Sequence, residues 1–190
     1  MDKALFTPFP VLTTQRLTLR ALVEADLDAL HALRSDPFNR RFLAGEVEQT
    51  PEETQAFMYR VWQGIADDKW VLWAISQHDD PGLLGTICLW QFNPDRTVAE
   101  VGYELLPAAQ GQGYMSEALE RVVSYGVHDL RLHQIEAFTN RDNLASRKLL
   151  ERCGFALLRE ASFEDIHGVV YGYPGVRSID PDEEDYSNSP

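Results

Sequence analysis

Two glycines at alternate positions, Gly111 and Gly113, separate a predicted strand over residues 97–105 from a predicted helix over residues 114–129. Glycine has no Cβ, so the backbone of such a turn can approach a ligand closely. The first N–H groups of the following helix lack partners within the helix and lie at the positive end of its dipole. This arrangement is typical of an anion site, most often for a phosphate or pyrophosphate. A tight strand-to-helix turn without a ligand would have the same spacing.

Two common nucleotide motifs do not explain the turn. No Lys-Ser or Lys-Thr pair follows the glycines, which excludes a Walker-type phosphate loop. Gly111-x-Gly113-x-x-Ser116 is close to the dinucleotide fingerprint. Glu136 follows it by roughly 20 residues, which is the spacing of the ribose-binding acid in that motif. The preceding strand, however, alternates polar and apolar residues, whereas a dinucleotide fold needs a continuous apolar strand there. Glu136 also falls inside a predicted strand, away from the end where a ribose would bind.

The composition is that of one globular domain: 190 residues, 44% hydrophobic, 11% aromatic and 25% charged. No window approaches the ~18 consecutive apolar residues of a membrane span, and the first residues do not resemble a secretion signal, so we expect a cytoplasmic protein. A formal net charge of −13 disfavours nucleic-acid binding through phosphate contacts. The same charge suits a cationic partner, or is simply a solvated acidic surface.

The two cysteines do not have the spacing of a metal site. Cys88 falls in an apolar, strand-like run, and Cys153 ends a predicted helix just before Gly154. We therefore expect two buried, reduced thiols and no bound metal.

The periodicity of apolar residues predicts seven strands and four helices that carry these residues. The strands are predicted over 13–22, 70–76, 83–92, 97–105, 134–139, 155–163 and 169–173, and the helices over 23–35, 51–65, 114–129 and 143–153. The three central strands form a meander, and a parallel crossover leads to the strand at 134–139. We expect an α+β fold with a mixed, mostly antiparallel sheet in a single domain over 1–174, followed by a disordered acidic tail over 175–190.

Three segments resemble one known family, the GNAT superfamily of N-acetyltransferases. Its pyrophosphate loop reads Arg/Gln-x-x-Gly-x-Gly/Ala, and residues 108–113 (AAQGQG) match it except that Ala108 stands at the first position. The helix start over 113–118 (GYMSEA), the later segment over 140–155 (NRDNLASRKLLERCGF) and the opening over 12–20 (LTTQRLTLR) resemble the branch of ribosomal-protein alanine N-acetyltransferases. The resemblance covers about residues 12–173.

The resemblance implies a GNAT-like fold in which the strands at 100–105 and 134–139 splay apart and acetyl-CoA enters the gap as the acetyl donor. It implies that amides near Leu105 and Leu106 pair with the pantetheine and polarise the thioester carbonyl. The pyrophosphate would be held by amides of the turn and helix start, and the cofactor would also meet the first turn of a later helix. These residues are Gln110, Gly111, Gln112, Gly113, Tyr114, Met115 and Ser116, followed by Asn143 and Ser146. Asn143 could equally serve only as a helix cap.

The resemblance also implies candidates for the catalytic residues. Glu104 is the first candidate for the general base, with Glu100 as an alternative acting through a water; either could be only a solvated strand acid. Glu136 is interpreted as structural. Many relatives carry a tyrosine seven residues after the asparagine that matches Asn143, but Leu150 stands there, so Ser146 or a water would protonate the leaving thiolate.

The acceptor is expected to be an amine: a protein N-terminus or a small cationic amine. The residues that would line its pocket lie in the first two helices and in the loop 40–45. The alternative function is a non-catalytic acyl-CoA-binding or regulatory module that kept the fold. No nucleic-acid or membrane partner is expected, and a homodimer is compatible with the sequence.

Overall fold

Antiparallel hairpins build most of the central sheet. The computed structural model describes residues 5–42, 47–163 and 166–175, which form eight strands and five α-helices. The strands are β1 (Leu12–Thr13), β2 (Leu17–Arg20), β3 (Val71–Gln77), β4 (Gly85–Trp90), β5 (Val98–Leu105), β6 (Gln134–Asn140), β7 (Ala156–Phe163) and β8 (Ile166–Pro174). The helices are α1 (Leu27–Ser35), α2 (Pro37–Arg40), α3 (Pro51–Ala66), α4 (Tyr114–His128) and α5 (Leu144–Arg152).

The strands form a single sheet in the order β1-β2-β3-β4-β5-β6-β8-β7. Among the described residues β5 and β6 are the one parallel pair, and the other neighbours are antiparallel. The prediction of an α+β fold with a mixed sheet and a parallel crossover after the meander is therefore confirmed.

Two local predictions were wrong in detail. The strand predicted over 13–22 is split, because Thr14 closes a tight turn: its N–H donates to the Leu17 carbonyl at 3.0 Å, and its hydroxyl accepts from the Leu17 N–H at 2.9 Å. The helix predicted over 23–35 begins with a short 3-10 turn, Glu24–Asp26, before α1. The short helix α2 was not predicted; the Asp36 carboxylate caps it by accepting from the Phe38 N–H at 2.9 Å.

Helices cover both faces of the sheet. On one face α4 packs Leu119 and Val122 into the main core, which also includes Trp73. On the other face α1 and α3 bury Leu33 and Met58 in a second cluster. The capping box predicted for α3 is present, because the Thr50 hydroxyl accepts from the Glu53 N–H and the Glu53 carboxylate accepts from the Thr50 N–H, each at 3.3 Å.

The parallel pair separates after three residues. β5 and β6 are in register only at Val98–Gln134, Ala99–Ile135 and Glu100–Glu136. Beyond that point β5 stays with β4 as far as Leu105, and β6 stays with β8 as far as Asn140. The predicted splay is thus present, with Glu100 and Glu136 at its apex.

Both cysteines are free, as predicted. Cys153 is buried, whereas Cys88 is only half-buried and faces a cavity. None of the helices within the described ranges combines the length and apolar composition needed to cross a bilayer. The predicted acidic tail lies outside the described residues, except for Gly175.

Candidate active site

The glycine turn places backbone amides at the start of α4. Gly111 and Gly113 have φ values of 74° and 80°, in the left-handed region that favours glycine. The first hydrogen bond of the helix runs from the Glu117 N–H to the Gly113 carbonyl at 3.2 Å, so the N–H groups of residues 114–116 have no partner within the helix. A Cβ built at Gly111 would have no atom within 4 Å. The geometry fits an anion held by backbone N–H groups.

Arg16 brings a positive charge to this turn and was given no role in the sequence analysis. Its side chain donates to the Gln112 carbonyl at 3.0 Å, forms a 2.7 Å ion pair with Glu117 and lies over the Tyr114 ring. The Arg16 side chain is 44% exposed. A guanidinium held beside free helix N–H groups strengthens the attraction for a phosphate.

The polar side chains of the turn are occupied by contacts within the protein. Gln110 donates to the Leu105 carbonyl at 3.0 Å, and Gln112 donates to the Ala108 carbonyl at 2.8 Å. The Ser116 hydroxyl accepts from Arg152 at 3.2 Å. These contacts fix the shape of the turn and leave the backbone to meet the anion.

The splayed edge of β5 presents a second set of amides. The Leu106 N–H donates to the Leu84 carbonyl at 2.9 Å, on the β4 side. Because N–H groups alternate between the two sides of a strand, those of Val101, Tyr103 and Leu105 face the gap toward β6. The expectation for Leu105 fits this geometry, but the expectation for Leu106 does not, because its N–H is used within the sheet. The Tyr103 N–H faces the gap instead.

A cavity of about 630 Å³ opens from the splay and continues beneath α3. Arg34 from α1, Phe57 from α3 and Phe42 from the loop 40–45 contribute to its wall, in the regions expected for the acceptor pocket. Residues 43–46 of the loop region lie outside the described residues. The titratable or hydroxyl-bearing side chains that line the cavity include Glu100, Glu104, Glu136, Tyr103 and Ser146.

Glu104, the first candidate for the base, is held by two arginines. Its Oε1 lies 3.3 Å from Arg40 Nη1 and 3.9 Å from Arg34 Nη1. Arg34 also pairs with Glu48 at 2.6 Å and stacks on the Phe57 ring at 3.6 Å. Burial raises the pKa of Glu104 although both arginines act in the opposite direction. The Glu104 Oε1 is shared between two guanidiniums, so protonation of this carboxylate would weaken both ion pairs.

Glu100 lies in a different environment at the apex of the splay. Burial, together with repulsion from Glu136 on β6, raises its pKa from 4.5 to about 7. Glu136 is itself held by Arg159 through two contacts of 2.8 and 3.1 Å. No ion pair involves Glu100 within the described part of the chain. A partly buried carboxyl with a pKa near neutrality is suited to general base catalysis.

Two hydroxyl groups meet across the site. The Ser146 Oγ lies 2.9 Å from the Tyr103 Oη, which joins α5 to β5. Burial raises the pKa of Tyr103, which keeps its phenol protonated. Asn143 caps α5, because its side chain accepts from the Ser146 N–H at 3.1 Å. Leu150 is fully buried and carries no proton to donate.

The sequence analysis gave Tyr103 no role. Its neighbour Glu104 was selected for its charge, and Tyr103 is separated from Ser146 by 43 residues. The one available signal was its place on the strand predicted to splay, since a tyrosine there has a hydroxyl within reach of the gap.

A splayed pair of parallel strands followed by a glycine turn at a helix start is typical of transferases that bind an acyl-CoA between the two strands. Residues 16–156 match the family model described as "Acetyltransferase (GNAT) domain". The chain therefore belongs to the GNAT acetyltransferase family. It is an acetyltransferase, and its relatives favour catalytic acetyl transfer over a non-catalytic binding module.

The chain is similar to named proteins over most of its length. It is 31% identical over 160 residues to the uncharacterized N-acetyltransferase YoaA of Bacillus subtilis, which covers 83% of this chain and 90% of that protein. It is 28% identical over 153 residues to the uncharacterized N-acetyltransferase YnaD of the same organism, covering 80% and 85% of the two chains.

Two solved structures share the fold. RimL, a ribosomal L7/L12 alpha-N-protein acetyltransferase in complex with coenzyme A, has a TM-score of 0.77 at 22% identity, covering 87% of this chain and 98% of that one. A spermidine N-acetyltransferase from Vibrio cholerae, in complex with CoA and spermine, has a TM-score of 0.70 at 23% identity, covering 82% and 92%. The GNAT fold implied by the resemblance is confirmed.

Proposed function

We propose that the protein transfers the acetyl group of acetyl-CoA to a primary amine by direct attack in a ternary complex. The observation that carries this proposal is the splay between β5 and β6, which ends at a helix start with free amides. The N–H groups of residues 111–116 would hold the pyrophosphate, and those of Tyr103 and Leu105 would meet the pantetheine. Asn143 and Ser146, at the start of α5, would border the same gap.

Glu100 is proposed as the general base, in place of Glu104. The attacking amine must lose a proton, and Glu100 lies at the apex of the splay with a pKa of about 7, free of any cation in the described residues. Glu104 remains tied to Arg40 and Arg34. We propose that Glu104 holds the Arg34 and Arg40 guanidiniums in place and in this way fixes the shape of the acceptor wall.

Ser146 is proposed as the donor that protonates the leaving thiolate, with Tyr103 as its partner. The nitrogen–carbon bond forms as the carbon–sulfur bond breaks, and the thiolate of coenzyme A takes a proton. A serine hydroxyl alone is a weak acid. The Tyr103 phenol, which burial keeps protonated, lies 2.9 Å from the Ser146 Oγ and would donate a hydrogen bond that stabilises the negative charge on this oxygen as its proton moves to sulfur; solvent water would then return a proton to Ser146.

The acceptor is proposed to be an amine that enters beneath α3. One structural neighbour acts on the N-terminus of a ribosomal protein and another on spermidine, so both a protein N-terminus and a small amine are candidates. We also propose a cytoplasmic location, which agrees with the two free cysteines.

A turnover screen tests this proposal. Release of free thiol from acetyl-CoA would be followed over a panel of small amines and short peptides, with Glu100→Gln and Glu104→Gln as matched variants. We expect amine-dependent thiol release that Glu100→Gln lowers by roughly 100-fold or more, the contribution typical of a general base. Tight CoA binding without thiol release for any amine would instead favour the non-catalytic module.

A further inference from the structure

The cavity extends from the splay to a region beneath α3. We infer that the acceptor is a small primary amine with one positive charge and an apolar or aromatic body. This inference rests on the proposed function and concerns the substrate class of the same site. It depends on the charges that line the cavity and on the apolar floor that extends from Glu100 beneath α3.

Among the described lining residues, one carboxylate has no ion pair with an arginine. Among the described lining residues there are three glutamates; Glu104 is paired with arginines from α1 and α2, and Glu136 is paired with Arg159. Glu100 is the remaining one. A polyamine would need further unpaired carboxylates spaced along its chain, and the described lining residues do not provide them.

The charges of the described lining residues nearly balance, which does not favour a polycation. The described lining residues include four arginines, Arg34, Arg40, Arg60 and Arg159, against the three glutamates. Arg34, Arg40 and Arg159 are held in ion pairs with Glu48, Glu104 and Glu136, so the lining is close to neutral although the whole protein has a net charge of −13. Each additional positive charge on an acceptor would lose hydration in a partly desolvated site, and the described lining residues offer no further carboxylate without an ion pair to offset that loss.

An apolar floor runs from the apex toward the far side of α3. Leu72 on β3, Cys88 on β4 and Gly102 on β5 are cross-strand neighbours, so they form one row on the cavity side of the sheet. With strands about 4.8 Å apart, this row is about 10 Å long. Gly102 adds no side chain, and burial raises the pKa of Cys88 to about 12, so its thiol stays neutral.

Aromatic rings flank this floor next to Glu100. Trp90 is the cross-strand neighbour of Glu100, and Trp70 lines the cavity beside α3. An ammonium ion at Glu100 would lie close to an indole ring, and the apolar part of the same molecule would lie over Leu72 and Cys88. One charge beside an apolar surface of this length matches an arylalkyl monoamine.

The test compares kcat/KM of the unmodified protein for four acceptors: phenethylamine, ethanolamine, spermidine and a tripeptide with a free N-terminus. We expect phenethylamine to exceed each of the others by roughly tenfold or more, because burial of its ring adds affinity that the polar acceptors lack. A higher value for spermidine, ethanolamine or the peptide would overturn the inference while leaving acetyl transfer intact. Absence of thiol release with every amine would instead overturn the proposed function.

A substitution of Trp70 tests whether the preference for phenethylamine arises in the cavity. Trp70→Leu should raise KM for phenethylamine about fivefold, through loss of aromatic contact, and leave KM for ethanolamine unchanged. Tyr59→Leu is the control, because Tyr59 lies on α3, is 55% exposed and does not line the cavity. If Trp70→Leu changed KM equally for both amines and retained CoA affinity, the proposed contact between Trp70 and the apolar part of the acceptor would be contradicted.

Discussion

Replacing Glu100 by glutamine should stabilise the protein at alkaline pH while it reduces turnover. The pKa of Glu100 is raised from 4.5 to about 7, so in the folded protein its ionised form is disfavoured by burial and by Glu136. Its stabilising contribution is complete below pH 4.5 and is lost as the pH rises through about 7. Glutamine carries no charge at any pH and avoids this loss.

The magnitude follows from the shift. A carboxyl whose pKa moves from 4.5 to about 7 costs the folded state about 3 kcal/mol once it is ionised in both states. Because part of the side chain is open to the cavity, we expect about 1.5–3 kcal/mol. Glu100→Gln should therefore exceed the unmodified protein in free energy of unfolding by that amount at pH 8 and by less than about 0.5 kcal/mol at pH 4.5.

Urea unfolding followed by far-UV circular dichroism at several pH values between 4.5 and 8 would measure the difference. Glu120→Gln, at an exposed position on α4, is the matched control and should show no such trend. A stability difference that does not change with pH, or a loss of stability at pH 8, would refute the raised pKa assigned to Glu100 at the apex of the splay.

Four further outcomes follow from the site. Gly113→Trp should abolish acetyl-CoA binding in calorimetry with the fold retained, because a left-handed glycine borders the proposed anion site; near-normal affinity would remove the cofactor assignment. Tyr103→Phe and Ser146→Ala should each lower kcat about tenfold or more at nearly unchanged KM for acetyl-CoA, as expected for one proton-donating pair; an effect of Ser146→Ala alone would exclude Tyr103. Glu104→Gln should keep the rise of kcat/KM through pH 7, because in this mechanism Glu104 is held by Arg40 and Arg34 and Glu100 is the base; loss of that rise would return the base to Glu104. Deletion of residues 179–190, which hold five acids and no base, should raise the KM for a cationic amine only at low salt, where long-range attraction is least screened; a KM that stays constant at every salt concentration would show that this charge does not attract the acceptor.

The fold and the glycine turn were largely predictable from local pattern. Gly111 and Gly113 after an alternating strand indicate a helix start with free amides, and the strand order indicates a parallel pair beside a meander. These signals lie within short windows of sequence, where turn chemistry and periodicity determine the structure.

The acceptor side was not predictable in the same way. Glu104 meets Arg40, and Tyr103 meets Ser146, across 64 and 43 residues. Which carboxylate is neutralised depends on these tertiary contacts, and so does the choice between Glu100 and Glu104. The side of β5 on which each N–H lies depends on the register with β4, which the sequence does not give; the resemblance therefore implied Leu106, whereas the structure turns the N–H of Tyr103 toward the gap.

The most direct test of the proposed mechanism is a crystal structure of the protein with coenzyme A bound. We predict that the pyrophosphate accepts hydrogen bonds from the N–H groups of residues 111–116 and that the pantetheine runs along the Tyr103 and Leu105 edge of β5. The sulfur should then lie between β5 and β6, within about 4 Å of the Ser146 hydroxyl. Coenzyme A bound outside the splay, or with its sulfur turned away from Ser146, would contradict the account.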